Sequence, residues 1–99
     1  MDFIVIKHLV WEEWNIEHIA QHDVLPEEIE EVCQANPQTS GAKKGRIRVT
    51  GRTKKERLIS LFLDPEPEEG VYYPVSARDA SRKERRDYEA WDKGGEKAA

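Results

Sequence analysis

Val71-Tyr72-Tyr73-Pro74-Val75-Ser76-Ala77-Arg78-Asp79-Ala80-Ser81-Arg82-Lys83-Glu84-Arg85-Arg86-Asp87-Tyr88 is the stretch on which the reading of this chain turns. Its first half is β-branched and aromatic, which predicts a strand; Pro74 cannot donate to a ladder and so marks an edge or a bulge. Ser81 followed three residues later by Glu84 predicts a capping box and hence a helix start. Arg82 and Lys83 then fall in the first helical turn, where the helix dipole disfavours cations. A position that breaks a local rule is a candidate for function. Free helix amides beside Arg78, Arg82, Arg85 and Arg86 suit an anion, and a phosphate in particular.

Working upstream, Leu58-Ile59-Ser60-Leu61-Phe62-Leu63 is the most apolar run of the chain and predicts a central strand. Between it and Val71, residues 64–70 hold two prolines, four acids and a glycine, the punctuation of an exposed hairpin loop. Arg46-Ile47-Arg48-Val49-Thr50 alternates, which puts Ile47 and Val49 on one face and Arg46, Arg48 and Thr50 on the other. Residues 39–46 read as a loop leading into it, and Gly51 to Lys55 as a turn or a bulged strand end.

The N-terminal part is of another kind. Phe3 to Trp11 reads as a buried first strand and lacks the basic start and small-residue cleavage site of a signal peptide. A short helix follows, with Asn15 as its expected N-cap, Ile16, Ile19 and Ala20 on one face, and an end near His22-Asp23. Pro26 suits the first position of a second helix, with Leu25, Ile29, Val32 and Cys33 toward the core and Asn36-Pro37 ending it. The expected order is β-α-α-β-β-β-α. Segregated helices and consecutive strands make that an α+β fold with a mostly antiparallel sheet. Residues 1–92 are expected to form one domain and residues 93–99 a flexible tail.

Charge separates the two parts. The net charge is −4, yet residues 1–40 carry nine acids and one base, whereas residues 41–61 carry eight bases and one acid. A basic ribbon is the footprint of a polyanion-binding surface, or else a solvated hairpin whose charges prevent edge pairing. The second basic cluster at residues 78–86 favours the polyanion. Lone Cys33 excludes a disulfide framework and fits a reducing cytoplasm. No apolar run reaches the ~20 residues of a membrane span.

Other chemistries find little support. His18 and His22 have metal-sharing spacing on a helix but lack third and fourth ligands, so no metal or cofactor is assigned. Cys33 sits on an apolar stripe and reads as core. No glycine-rich phosphate loop is present. What remains is Arg46, Arg48 and Arg52 on one hairpin with Arg78, Arg82 and Arg85 at the strand–helix junction, extended by Lys54 and Lys55. Meeting in space, they would surround a phosphodiester, stabilise its added charge and leave the RNA 2′-hydroxyl as nucleophile. Tyr73 or Tyr72, on the strand before Arg78, is the aromatic better placed to touch such a substrate. His22 reads equally as a proton shuttle and as a cap on the first helix.

Trp14-Asn15-Ile16-Glu17-His18-Ile19-Ala20-Gln21-His22-Asp23-Val24, Glu27-Glu28-Ile29-Glu30-Glu31-Val32, Gly45-Arg46, Gly51-Arg52-Thr53 and the segment from Val75 to Tyr88 together resemble the BrnT family of bacterial toxins, over residues 7–91. The Ser-Ala-Arg and Lys-Glu-Arg-Arg-x-Tyr ending is the most specific part. The resemblance implies a RelE-like fold, metal-independent RNA endonuclease activity and a ribbon-helix-helix, BrnA-like antitoxin. It implies Arg52 and Arg78 as active-site arginines and His22 as the accompanying histidine; Arg82 and Arg85 come from the electrostatic reading. The reading of the residues leaves open a non-catalytic module whose basic surface docks nucleic acid or a protein. It also leaves the oligomeric state open.

Overall fold

The computed structural model describes residues 4–41 and 43–94. Five strands, β1 (His8–Leu9), β2 (Gln38–Gly41), β3 (Ile47–Arg52), β4 (Leu58–Pro65) and β5 (Val71–Asp79), form one sheet in the order β1-β5-β4-β3-β2. Helices α1 (Glu13–Ala20) and α2 (Pro26–Gln34) precede β2, and α3 (Arg82–Lys93) follows β5. All pairings are antiparallel except β1 with β5. The α+β class and the mostly antiparallel sheet are as expected, with one strand more than the sequence suggested.

The apolar run 58–63 is indeed the middle strand. Ile59, Leu61 and Leu63 project to one side with Ile47, Val49 and Ala77, and meet Ile19, Val24, Ile29 and Val32 of the helical layer; all are buried. Gly51 lies where that layer comes closest. A Cβ there would stand 3.0 Å from Pro37 Cβ and 3.1 Å from Val32 Cγ1, so the position is kept bare by packing within β3, and the turn expected over residues 51–55 is made just beyond it, from Thr53 to Glu56.

Several local expectations need correction. Of the expected first strand, Phe3 lies outside the described residues, and Ile4 to Trp11 yields only a two-residue strand, because β1 pairs with the start of β5 alone. Beyond it the edge of β5 is taken over by the entry to α1. Val10 N–H donates to Tyr72 O at 2.9 Å, and fully buried Asn15 donates through Nδ2 to Val10 O at 2.9 Å and Pro74 O at 3.1 Å. Asn15 is therefore not the N-cap. Glu12 holds that place, and the Asn15 side chain accepts from its amide. Leu25 is 58% exposed and faces water rather than the core. Residues 38–41, polar enough to read as loop, add an edge strand to β3. Pro74, by contrast, takes one of its two expected placements, a bulge, buried in β5: Phe62 pairs with Ser76 and Leu63 with Pro74, leaving Val75 over. Residues 95–99, most of the expected tail, lie outside the described residues. No helix among the described residues is long and apolar enough to cross a membrane.

Candidate functional site

The second face of the sheet carries the polar members of the alternation. Register places Arg48 beside Phe62 and Ser76, Thr50 beside Ser60 and Arg78, and Arg52 beside Leu58. Arg48 and Arg52 thus flank Thr50 on β3, and Arg78 stands level with Thr50 two strands away. Strand spacing and rise put the Cα atoms of Arg52 and Arg78 ~12 Å apart on one face, within reach of two long side chains bending toward each other.

Helix α3 lies over part of this face and inserts Glu84 and Tyr88, both buried. The Ser81 and Glu84 capping box forms as read: Glu84 N–H donates to Ser81 Oγ at 3.1 Å and Ser81 N–H to Glu84 Oε1 at 2.8 Å. The carboxylate does more than cap. It accepts from Arg78 Nη1 at 2.8 Å and Nη2 at 3.0 Å, and from Ser60 Oγ at 2.8 Å, with Arg48 Nη1 at 3.8 Å. Ser60 Oγ is in turn 2.9 Å from Thr50 Oγ1. The Arg78 guanidinium, foremost, and the Ser81 amide and Ser60 hydroxyl hold the Glu84 carboxyl down at about 2, against the opposing effect of burial. The anion that the α3 start was expected to attract from outside is thus supplied by the chain itself.

Arg78 and Arg52 of this face are braced in defined orientations. Arg78 spends its end-on fork on Glu84 and a further Nη1 hydrogen on Asp79 O at 3.2 Å. Its Nε–H and the neighbouring Nη2 hydrogen remain, side by side, the pair that binds phosphate oxygens bidentately. The side chain is 40% exposed and lies over the Phe62 ring, 5.6 Å from its centroid. Arg52 lies 5.7 Å over the Tyr88 ring, donates to Glu56 O at 3.2 Å, and has Glu56 and Glu89 carboxylates at 3.8 Å. Arg48 Nε is buried with no hydrogen-bond partner.

The remaining expected site residues are dispersed. Arg46 is neutralised by Asp64, at 2.7 and 3.1 Å, so the hairpin does not present its cations as one free row. Lys54 and Lys55 are exposed in the β3–β4 turn beyond Arg52, and Arg82 and Arg85 are exposed on α3. His22 is exposed in the α1–α2 turn and makes no hydrogen bond with Arg48, Arg52 or Arg78; its carbonyl, not its imidazole, is engaged, by Arg57 Nη2 at 3.3 Å. Tyr73 stacks on Trp14 at 6.5 Å beside α1 rather than among the arginines. His18 stacks on Trp14 as well, at 4.9 Å. Among the described residues no group of three or more His, Cys, Asp or Glu is placed to hold a metal ion. Burial first, and then Glu30, pushes the Cys33 thiol up to about 12, as suits a thiol packed at the edge of the core.

Arg57, read only as one more base of the ribbon, proves to be a clamp. It donates to Asp79 at 2.8 Å, to Glu28 at 3.1 and 3.2 Å and to Asp23 O at 2.6 Å, joining the helical layer to the end of the sheet. Nothing in its local sequence distinguishes it from Lys54 or Lys55.

No protein-family model matches the sequence, and no curated protein sequence matches it. Among solved structures, the 1.1 Å crystal structure of the Brucella abortus ribonuclease toxin BrnT is similar, with a TM-score of 0.61 and 19% identity, over 76% of this chain and 97% of that one. At that identity the likeness speaks for architecture: the chain has a BrnT-like fold.

Proposed function

We propose that the chain is a metal-independent RNA endonuclease, the toxin of a toxin–antitoxin pair silenced by a small ribbon-helix-helix protein. The observation that carries this reading is the convergence of Arg48, Arg52 and Arg78 on one face of the sheet, Arg52 and Arg78 braced, with the side-on fork of Arg78 unspent. The resemblance of residues 7–91 to the BrnT family and the shared fold with a ribonuclease toxin point the same way.

The chemistry follows from the arginines. The ribose 2′-oxygen attacks the adjacent phosphorus, a new O–P bond forms, the bond to the 5′-oxygen breaks, and a 2′,3′-cyclic phosphate and a 5′-hydroxyl result. The 2′-proton leaves to solvent and the departing oxygen takes one up. Guanidinium groups held in place stabilise the added charge on the phosphoryl oxygens without reorganising at the moment of reaction. They also fix the phosphate relative to the nucleophile. Glu84, at about 2, is too acidic to serve as a base at neutral pH and acts as the post that orients Arg78. His22 is given no catalytic role. Lys54, Lys55, Arg82 and Arg85 extend the field around the face and steer the strand toward it.

The test is incubation of purified protein with single-stranded RNA in excess chelator. The parent chain cuts and leaves 5′-hydroxyl ends; Arg52→Ala with Arg78→Ala reduces cutting at least a hundredfold while RNA retention falls far less. Parent protein that binds RNA but leaves it intact at stoichiometric amounts overturns the enzyme and leaves the binding module.

A further inference from the structure

A second surface, apart from the arginine face, is built in the opposite sense. Trp14 and His18 lie one turn apart on α1 and stack with ring planes 8° apart, and Tyr73 of β5 joins the group at 27° to Trp14. Two ring neighbours notwithstanding, Trp14 is 54% exposed, and Ile16 beside it is 38% exposed. The rim is acidic. Glu13 and Glu17 stand four residues apart on the same helix, a like-charge spacing that weakens an isolated helix. Among the described residues neither enters a salt bridge, nor do Glu12 and Glu66. Burial, then Glu12 and then Glu66 raise the Tyr73 phenol.

Open rings, an exposed isoleucine and four carboxylates outside any salt bridge among the described residues, of which Glu12 also caps α1, describe the counterpart of a cationic, partly apolar chain. A polyanion is repelled here. We propose that the Trp14–His18–Tyr73 stack and its acidic rim are the docking site of an arginine-bearing polypeptide segment, whose guanidinium groups lie on the rings and pair with Glu13, Glu17, Glu12 and Glu66. Arginine suits both halves of the site, being planar, weakly hydrated and always charged. The inference stands apart from the nuclease reading and needs no contribution from the arginine face. If an antitoxin binds this chain, a basic segment of it is the occupant expected here.

The probe is a fluorescein-labelled twelve-residue peptide of repeating Arg-Leu-Ala, titrated with the full chain and followed by anisotropy. Trp14→Ala is expected to weaken binding about tenfold. Glu13→Gln with Glu17→Gln weakens it about fivefold in low salt and by a smaller factor in 0.3 M salt. Trp14→Ala leaves the affinity for a 2′-O-methyl RNA 12-mer within twofold of the parent, which separates this surface from the arginine face. Three results overturn the proposal: peptide affinity unchanged within twofold in both variants, displacement of the peptide by the RNA 12-mer in a Trp14-dependent manner, or self-association of the chain that Trp14→Ala abolishes and that competes with the peptide, making a second copy the occupant.

Discussion

Glu84→Gln probes the centre of the arginine face most sharply, because the variant keeps the shape of the side chain and the cap while removing the charge. In the parent, the carboxyl is lowered from 4.5 to about 2, chiefly by Arg78. At ~1.4 kcal/mol per unit such a drop corresponds to about 3 kcal/mol at full strength; partial solvent access at the helix edge screens it to about 2 kcal/mol. The sign is that of a depressed acid. Its contribution is complete above pH 4.5 and drains away as pH falls from 4.5 toward about 2. The Gln variant, whose amide also turns donors toward the Arg78 donors, should be destabilised by about 2 kcal/mol at pH 7, a fall in Tm of about 10 °C for a chain of this size. Urea unfolding of both proteins from pH 7 down to pH 3 measures it. The gap should be constant to about pH 5 and narrow steadily below 4.5. A gap under 0.5 kcal/mol at pH 7, or one that persists undiminished at pH 3, refutes the reasoning.

Asn15→Ala removes the donors for Val10 O and Pro74 O and the acceptor for the Glu12 amide, and should destabilise by about 3 kcal/mol in urea unfolding, with loss of the α1–β5 seam first in hydrogen exchange. Arg57→Ala leaves Glu28 and two carbonyls without their donor and should cost about 2 kcal/mol, whereas Lys54→Ala, with an exposed side chain, stays within 0.5 kcal/mol in the same assay. Gly51→Ala forces Pro37 or Val32 to yield and should lower stability by about 1–2 kcal/mol without changing the fold by circular dichroism. With the Cys33 thiol at about 12, a disulfide exchange reagent at pH 8 should label the native chain roughly a hundredfold more slowly than the urea-unfolded one; comparable rates would contradict its packing against the core.

What the sequence disclosed and what it hid divide along physical lines. Strand β4, the Pro26 start and the Ser81–Glu84 box were legible because each is written in consecutive residues, by apolar run, by fixed φ or by a three-residue spacing. The alternation of β3 put Arg48 with Thr50 on one face correctly, for the same reason. Strand β2 was illegible because an edge strand of Gln, Thr, Ser and Gly has no apolar periodicity to announce it. Asn15 has the chemistry of an N-cap, and only the approach of Pro74, fifty-nine residues away, gives it a different task. The chief misreading concerned Glu84. Its capping role was local and visible; its hold on Arg78 and Ser60 depends on α3 folding back across the sheet, so the cations looked free when they are already braced. The rings of Trp14 and Tyr73 met for the same non-local reason.

The proposal that RNA lies on the arginine face is tested most directly by the Nε–Hε signals of the arginines, observed by 15N nuclear magnetic resonance while a 2′-O-methyl RNA 12-mer, which cannot be cut through its 2′-oxygen, is added. Arg78 and Arg52 should shift and slow their exchange with water. Arg46 and Arg57, whose Nε–H groups are already given to Asp64 and Asp79, should stay in place. Shifts confined to Arg82, Arg85 and Arg86 on the outside of α3, with Arg78 and Arg52 unmoved, would contradict the account.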